Sequence, residues 1–148
     1  MRVLFYIFAV SGLLGFPVFA ADRVQGPIYA EVLRVVDGDT LAVRALIWPG
    51  HRVEVKVRLA RINAPELYRP ACEKERDLAR IATQFVQTKI DETNARNVEL
   101  QNVRFGKYAG RVVADIRLLA GEDLGDLLLA AGLAHGQKDR SGWCDFVN

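Results

Sequence analysis

Residues His51–Glu66 read HRVEVKVRLARINAPE. Val53, Val55, Val57 and Leu59 alternate with Arg52, Glu54, Lys56 and Arg58. A period of two puts the apolar set on one face of a strand and the charges on the other. One wet face and one buried face belong to an antiparallel sheet over a core. The run ends at Asn63-Ala64-Pro65, because proline has no amide hydrogen for a ladder. A carboxylate, Glu66, follows at once.

On the N-terminal side, Trp48-Pro49-Gly50 marks a turn. Before it, YAEVLRVVDGDTLAVRALI (residues 29–47) sets two Val- and Leu-rich runs around Asp37-Gly38, a strong tight-hairpin signal. These runs read as strands one and two, and His51–Ile62 as strand three. Residues 22–29 are a lead-in broken by Gly26 and Pro27. On the C-terminal side the period changes. Leu78, Ile81, Ala82, Phe85 and Ile90 fall near helical spacing, with charges crowding Glu73–Arg80. This predicts a helix from about Ala71 to Glu92. NVELQNVRFG (97–106) and GRVVADIRLL (110–119) alternate again as strands four and five. A short helix is expected over Asp123–Gly132, with acid near its start and glycine at its end. The polar tail His135–Asn148 is expected to loop back over the domain. Three strands, a long helix, two strands and a short helix predict an α+β fold, a five-stranded Greek-key barrel of the OB type with five antiparallel strands.

The chain of 148 residues suits one domain. Arg2, an apolar run from Val3 to Phe16, and small residues at Val18 and Ala20 read as a signal peptide over 1–20, cleaved after Ala20. A membrane anchor is the rival reading, and the apolar run is short for one. The domain then spans 21–148. Loss of Arg2 lowers the formal net charge from +2 by one, so bulk charge does not argue for a nucleic-acid partner and any such case rests on local clustering. The two cysteines, Cys72 and Cys144, read as a disulfide in an exported chain, with free thiols as the alternative. Such a bridge would stabilise by about 4 kcal/mol less any strain. His51 and His135 have no partner at ligand or triad spacing and read as surface groups. Trp48 and Trp143 read as packing or turn residues.

Three short pieces carry the candidate chemistry. Asp37-Gly38-Asp39-Thr40 is either a solvated hairpin tip or a pair of carboxylates for a hard cation. Arg58-Leu59 precedes Asn63-Ala64-Pro65-Glu66, and Tyr108-Ala109-Gly110-Arg111 brings a second arginine after a glycine turn. Each piece has an ordinary surface explanation. In this order and spacing they resemble the staphylococcal nuclease (thermonuclease-like) family, whose pattern is Asp-Gly-Asp-Thr, Arg-Leu with Asp-x-Pro-Glu, then Tyr-Gly-Arg. DLGDLLLAAGLA (123–134) looks like that family's closing helix. Cys72 and Trp143-Cys144 look like its exported bacterial members.

The resemblance implies a Ca²⁺-dependent endonuclease hydrolysing DNA and RNA phosphodiesters, with 3′-phosphate ends. Mg²⁺ or Mn²⁺ are substitutes. It implies metal ligation by Asp39 and the Ala64 backbone carbonyl, with Asp37 in support. Glu66 would orient or deprotonate the attacking water, and Arg58 and Arg111 would grip the phosphate. Tyr108 either lies near the sugar or phosphate or is a buried aromatic. The chemistry suits those roles. Charge grows on phosphorus as water attacks, and guanidinium forks and a cation answer it.

One departure stands out. Asn63 occupies the place of the family's second metal-binding Asp. Asn keeps an oxygen of similar reach and loses a charge, so the metal site is expected to be weaker, by about 1–3 kcal/mol. The alternative is a catalytically impaired OB-type module that binds nucleic acid or serves as an envelope interaction domain. Expected substrates are single-stranded or unwound DNA and RNA. The chain is expected to be an exported monomer, periplasmic or extracellular.

Overall fold

The computed structural model describes residues 23–93, 96–139 and 141–144. The expected signal segment 1–20 lies outside the described residues. In chain order the elements are β1 (Arg23–Val24), β2 (Ile28–Asp37), β3 (Thr40–Trp48), β4 (His51–Leu59), β5 (Ile62–Asn63), α1 (Glu73–Asp91), β6 (Asn97–Phe105), β7 (Arg111–Leu118), α2 (Leu124–Ala130) and β8 (His135–Gly136).

The five long strands close into a barrel. β2 pairs with β3, β3 with β4, β4 with β7, β7 with β6, and β6 returns to β2. The sequence pattern predicts antiparallel pairing throughout, but β4 and β7 run parallel, with Lys56 opposite Arg111 and Arg58 opposite Val113. Parity explains the difference. Directions that alternate around a closed ring need an even number of strands, so five strands must include a parallel pair.

The barrel interior is filled by Val32, Leu41, Val43, Val57, Leu59, Val98, Leu100, Ala114 and Ile116. The strand alternation holds along β4 except at its far end, where Val53 stands exposed with Leu46, Ile47 and Trp48. There the β3–β4 hairpin runs out beyond the core.

Helix α1 begins at Glu73, capped by Cys72, whose Sγ accepts from the Glu75 amide. Its buried face is Ala79, Ala82, Val86 and Ile90, while Ile81 is exposed. The apolar count over 78–90 predicts a stripe through Ile81 and Phe85. Ala82, Ile90 and, at the edge, Phe85 keep to the predicted stripe and Ile81 leaves it; a small residue is needed at Ala82 because the hairpin at Gly38 approaches so closely. A Cβ on Gly38 would lie 2.8 Å from the Ala82 Cβ and 3.0 Å from the Ala64 Cβ.

β4 stops at Leu59, earlier than Pro65. The Ala60 amide donates to the Ala114 carbonyl, and Arg61 turns the chain with φ 66°. Its guanidinium reaches Asp115 at 3.0 Å, Asp123 at 3.2 Å and Asp126 at 3.3 Å. These pairs fasten the strand break to β7 and α2. Beyond the break, β5 pairs with β8, Asn63 opposite His135. The described part of the tail therefore does return over the domain. Cys72 and Cys144 form a disulfide, Cα–Cα 6.0 Å. His135 is half-buried rather than a free surface group, with the Trp143 ring stacked on it at 3.7 Å.

Candidate active site

The Asp37–Asp39 turn joins β2 to β3. The Asp39 amide donates to the Asp37 carboxylate at 3.1 Å, an Asx-type closure of the turn. Gly38 is needed because Ala64 and Ala82 leave no room for a side chain. The Asp39 carbonyl accepts from the Leu59 amide at 2.8 Å, which fixes the turn against the end of β4.

Asp39 is only 4% exposed. Its carboxylate accepts from the Thr40 hydroxyl at 2.9 Å, the Ala64 amide at 3.3 Å and Arg58 Nη1 at 2.6 and 2.7 Å. Arg58 Nη2 donates to the Asn63 side-chain oxygen at 2.9 Å. So Asp37, Asp39, Arg58, Asn63 and Ala64 form one connected cluster. Burial, then the neighbouring Asp39 charge, pushes Asp37 up to about 6.

Arg111 is not hydrogen-bonded to this cluster. It starts β7 opposite Lys56, on the same outer face as Arg58. The two arginines are one alternation apart along the strand direction, about 7 Å. Arg111 packs its guanidinium over the Tyr108 ring at 4.9 Å, and its Nε is buried with no acceptor among the described residues. A buried donor left unmet costs about 1–3 kcal/mol, and a phosphate oxygen would satisfy it.

Glu66 is exposed and sits two residues after Ala64. Its carboxylate accepts from the Tyr68 amide at 3.0 Å, and its own amide donates to Glu75 at 3.1 Å. Glu75 also accepts from the Ala71 amide at 2.6 Å and is only 8% exposed. The Tyr68 hydroxyl donates to the Val36 carbonyl at 3.2 Å, latching the same loop to the acidic hairpin. Sequence reasoning missed Glu75 and Tyr68. Cys72-x-x-Glu75 has capping-box spacing, and that signal was hidden among the charges of the helix start.

The oxygen donors here are the Asp37 and Asp39 carboxylates and the Asn63 side-chain oxygen; at Ala64 it is the amide hydrogen that faces Asp39. These oxygens fit a hard oxygen-loving cation in kind. Among the described residues no three His, Cys, Asp or Glu side chains gather into a metal cage. Asn63 brings an uncharged amide oxygen to the cluster.

Two curated relatives, each described as an uncharacterized endonuclease, come from Escherichia coli and Escherichia coli O157:H7. Each is 30% identical over 129 residues, covering 87% of this chain and 71% of the relative. The family described as Staphylococcal nuclease homologue matches residues 56–142, a span that holds Arg58, Asn63–Glu66 and Arg111. The match takes in more than half of the chain, and this protein belongs to the staphylococcal nuclease homologue family.

Proposed function

We propose that this protein is a divalent-metal-dependent nuclease that hydrolyses phosphodiester bonds in DNA or RNA and leaves 3′-phosphate ends. Family membership and the endonuclease relatives support the nuclease reading. One observation carries the site. Buried Asp39, Arg58 and Asn63 form a single hydrogen-bonded cluster, and Arg111, with its unmet Nε, stands beside it on the same face of the barrel.

Asp39, Asp37, Asn63 and the Ala64 carbonyl would hold the ion, Ca²⁺ first and Mg²⁺ or Mn²⁺ as substitutes. When bound, it supplies Lewis acidity at the phosphate. Arg58 and Arg111 bind phosphate oxygens and meet the charge that grows as water adds to phosphorus. Glu66 takes the proton from that water. The bond from phosphorus to the 5′ oxygen breaks, the leaving oxygen picks up a proton from solvent, and the phosphate stays on the 3′ side. The Cys72–Cys144 bond supports an oxidising, exported setting.

The test is cleavage of an end-labelled single-stranded oligonucleotide with chelator, Ca²⁺, Mg²⁺ or Mn²⁺, beside a Glu66→Ala control. Metal-dependent cleavage that the control loses is the expected result. Folded protein that cleaves with none of the three ions would refute it. A module that merely binds strands would hold them equally with chelator present.

A further inference from the structure

The strand that carries Asn63 has little to hold it. β5 is 2 residues long and, among the described residues, pairs only with the equally short β8. A two-stranded ladder of that length does not hold itself together in water. Ile62 fixes one side of β5 in the core. Successive strand residues point to opposite faces, so Asn63 looks away from the core, to where its side-chain oxygen accepts from Arg58 at 2.9 Å. His135 is its cross-strand partner and shares that face, with a Cβ spacing of about 5 Å.

His135 is itself held by the C-terminal tail. The Trp143 ring lies flat on the imidazole, centroids 3.7 Å apart and planes within 13°. The Ser141 hydroxyl stands 3.1 Å from its Nδ1. The residue after Trp143 is Cys144, bonded to Cys72 at the cap of α1. A covalent tie to the helix, an indole, an imidazole and a strand pair thus run without a gap to Asn63. A carboxylate is drawn to a cation by its charge. An amide oxygen feels a weaker pull, so the scaffold has to set where it stands.

We propose that Trp143, acting through His135, is a positioning residue for Asn63 and sets the affinity of the site for a divalent ion. The proposal rests on the reading of Asn63 as a ligand, and its test is calorimetric titration with Ca²⁺ alone. Trp143→Ala is expected to weaken binding about ten-fold, the scale on which groups that orient a metal ligand act. Trp143→Phe keeps a ring on the imidazole and should bind as the parent does. His135→Ala should lose the same factor, and the double variant no more, because the two rings act in series. Val98→Ala removes buried volume from β6, which supplies no site residue, and should keep the parental affinity although it costs stability. Thermal melts check that each variant is folded at the titration temperature. Parental affinity in Trp143→Ala or His135→Ala, additive losses in the double variant, an equal loss in Val98→Ala, or no rescue by Trp143→Phe overturns the brace. Asn63→Ala separates the brace from its basis. Weakened binding by Asn63→Ala beside parental binding by Trp143→Ala removes the brace and leaves the ligand. Parental binding by Asn63→Ala, or no Ca²⁺ binding by the parent protein, removes both. Ion affinity that follows the brace in a protein that cleaves no strand would remove the nuclease reading and leave the brace standing.

Discussion

Asp37 is the residue whose state depends most on what fills the site. Its folded pKa of about 6 lies above the ordinary 3.8, so the native state holds the proton more tightly than the unfolded chain. The resulting stability is full below pH 3.8 and is lost as pH rises through about 6. In chelator, Asp37→Asn should therefore raise the melting temperature at pH 8 and leave it unchanged at pH 3.5, as a pair of thermal melts would show. A saturating divalent cation should cancel the gain, because the carboxylate then has its counter-charge. Asn63→Asp acts in the opposite sense. It adds a charge beside Asp39, and calorimetric titration should find divalent-ion binding tighter by about 1–3 kcal/mol. Unchanged affinity would mean that Asn63 lies outside the coordination set. These residues could be read in the chain because local motifs carry them. Arg58 needed only strand alternation to be placed on the wet face, and the structure puts it there.

Segments show where such reading stops. The long helix was legible from its periodicity, and Ala82, Phe85 and Ile90 fell on its packed face, but Ile81 did not. The turn at Gly38 presses on Ala82, and no count of apolar residues within 71–92 contains that contact. Glu75 was opaque for the same reason: its partners are amides of the preceding loop, Glu66 and Ala71. Glu75→Ala should free the loop that carries Glu66. Steady-state kinetics should show a fall in kcat larger than any rise in KM, since the arginines proposed to bind phosphate are untouched. Strand β4 ends at Leu59 and the chain turns at Arg61, whose left-handed φ of 66° no proline signal foretold. Arg61→Ala loses the links to Asp115, Asp123 and Asp126 and keeps an unfavourable backbone, for a cost of about 1–2 kcal/mol in urea unfolding. Arg61→Gly loses the same links and relieves the backbone, so it should be the more stable of the two variants.

For the molecule as a whole, the barrel and its strand count followed from alternation and turn chemistry. The parallel β4–β7 pair did not, because pairing between strands distant in sequence leaves no local mark. It follows from closure alone. Closure also brings Arg111 beside Lys56 and one step from Arg58, so the site's second arginine owes its position to ring topology. The disulfide spans a sequence separation of 72 residues. Replacing Cys72 and Cys144 by alanine should lower stability by about 4 kcal/mol in chemical denaturation.

The same separation sets an order of events during synthesis. Cys72 leaves the ribosome as a lone thiol while β6, β7 and α2 are still untranslated. Its bond can close only once every strand of the barrel has been synthesised. Oxidation thus ties the last-made segment back to the start of α1, and alkylating nascent chains at intervals would catch Cys72 unprotected until Cys144 arrives.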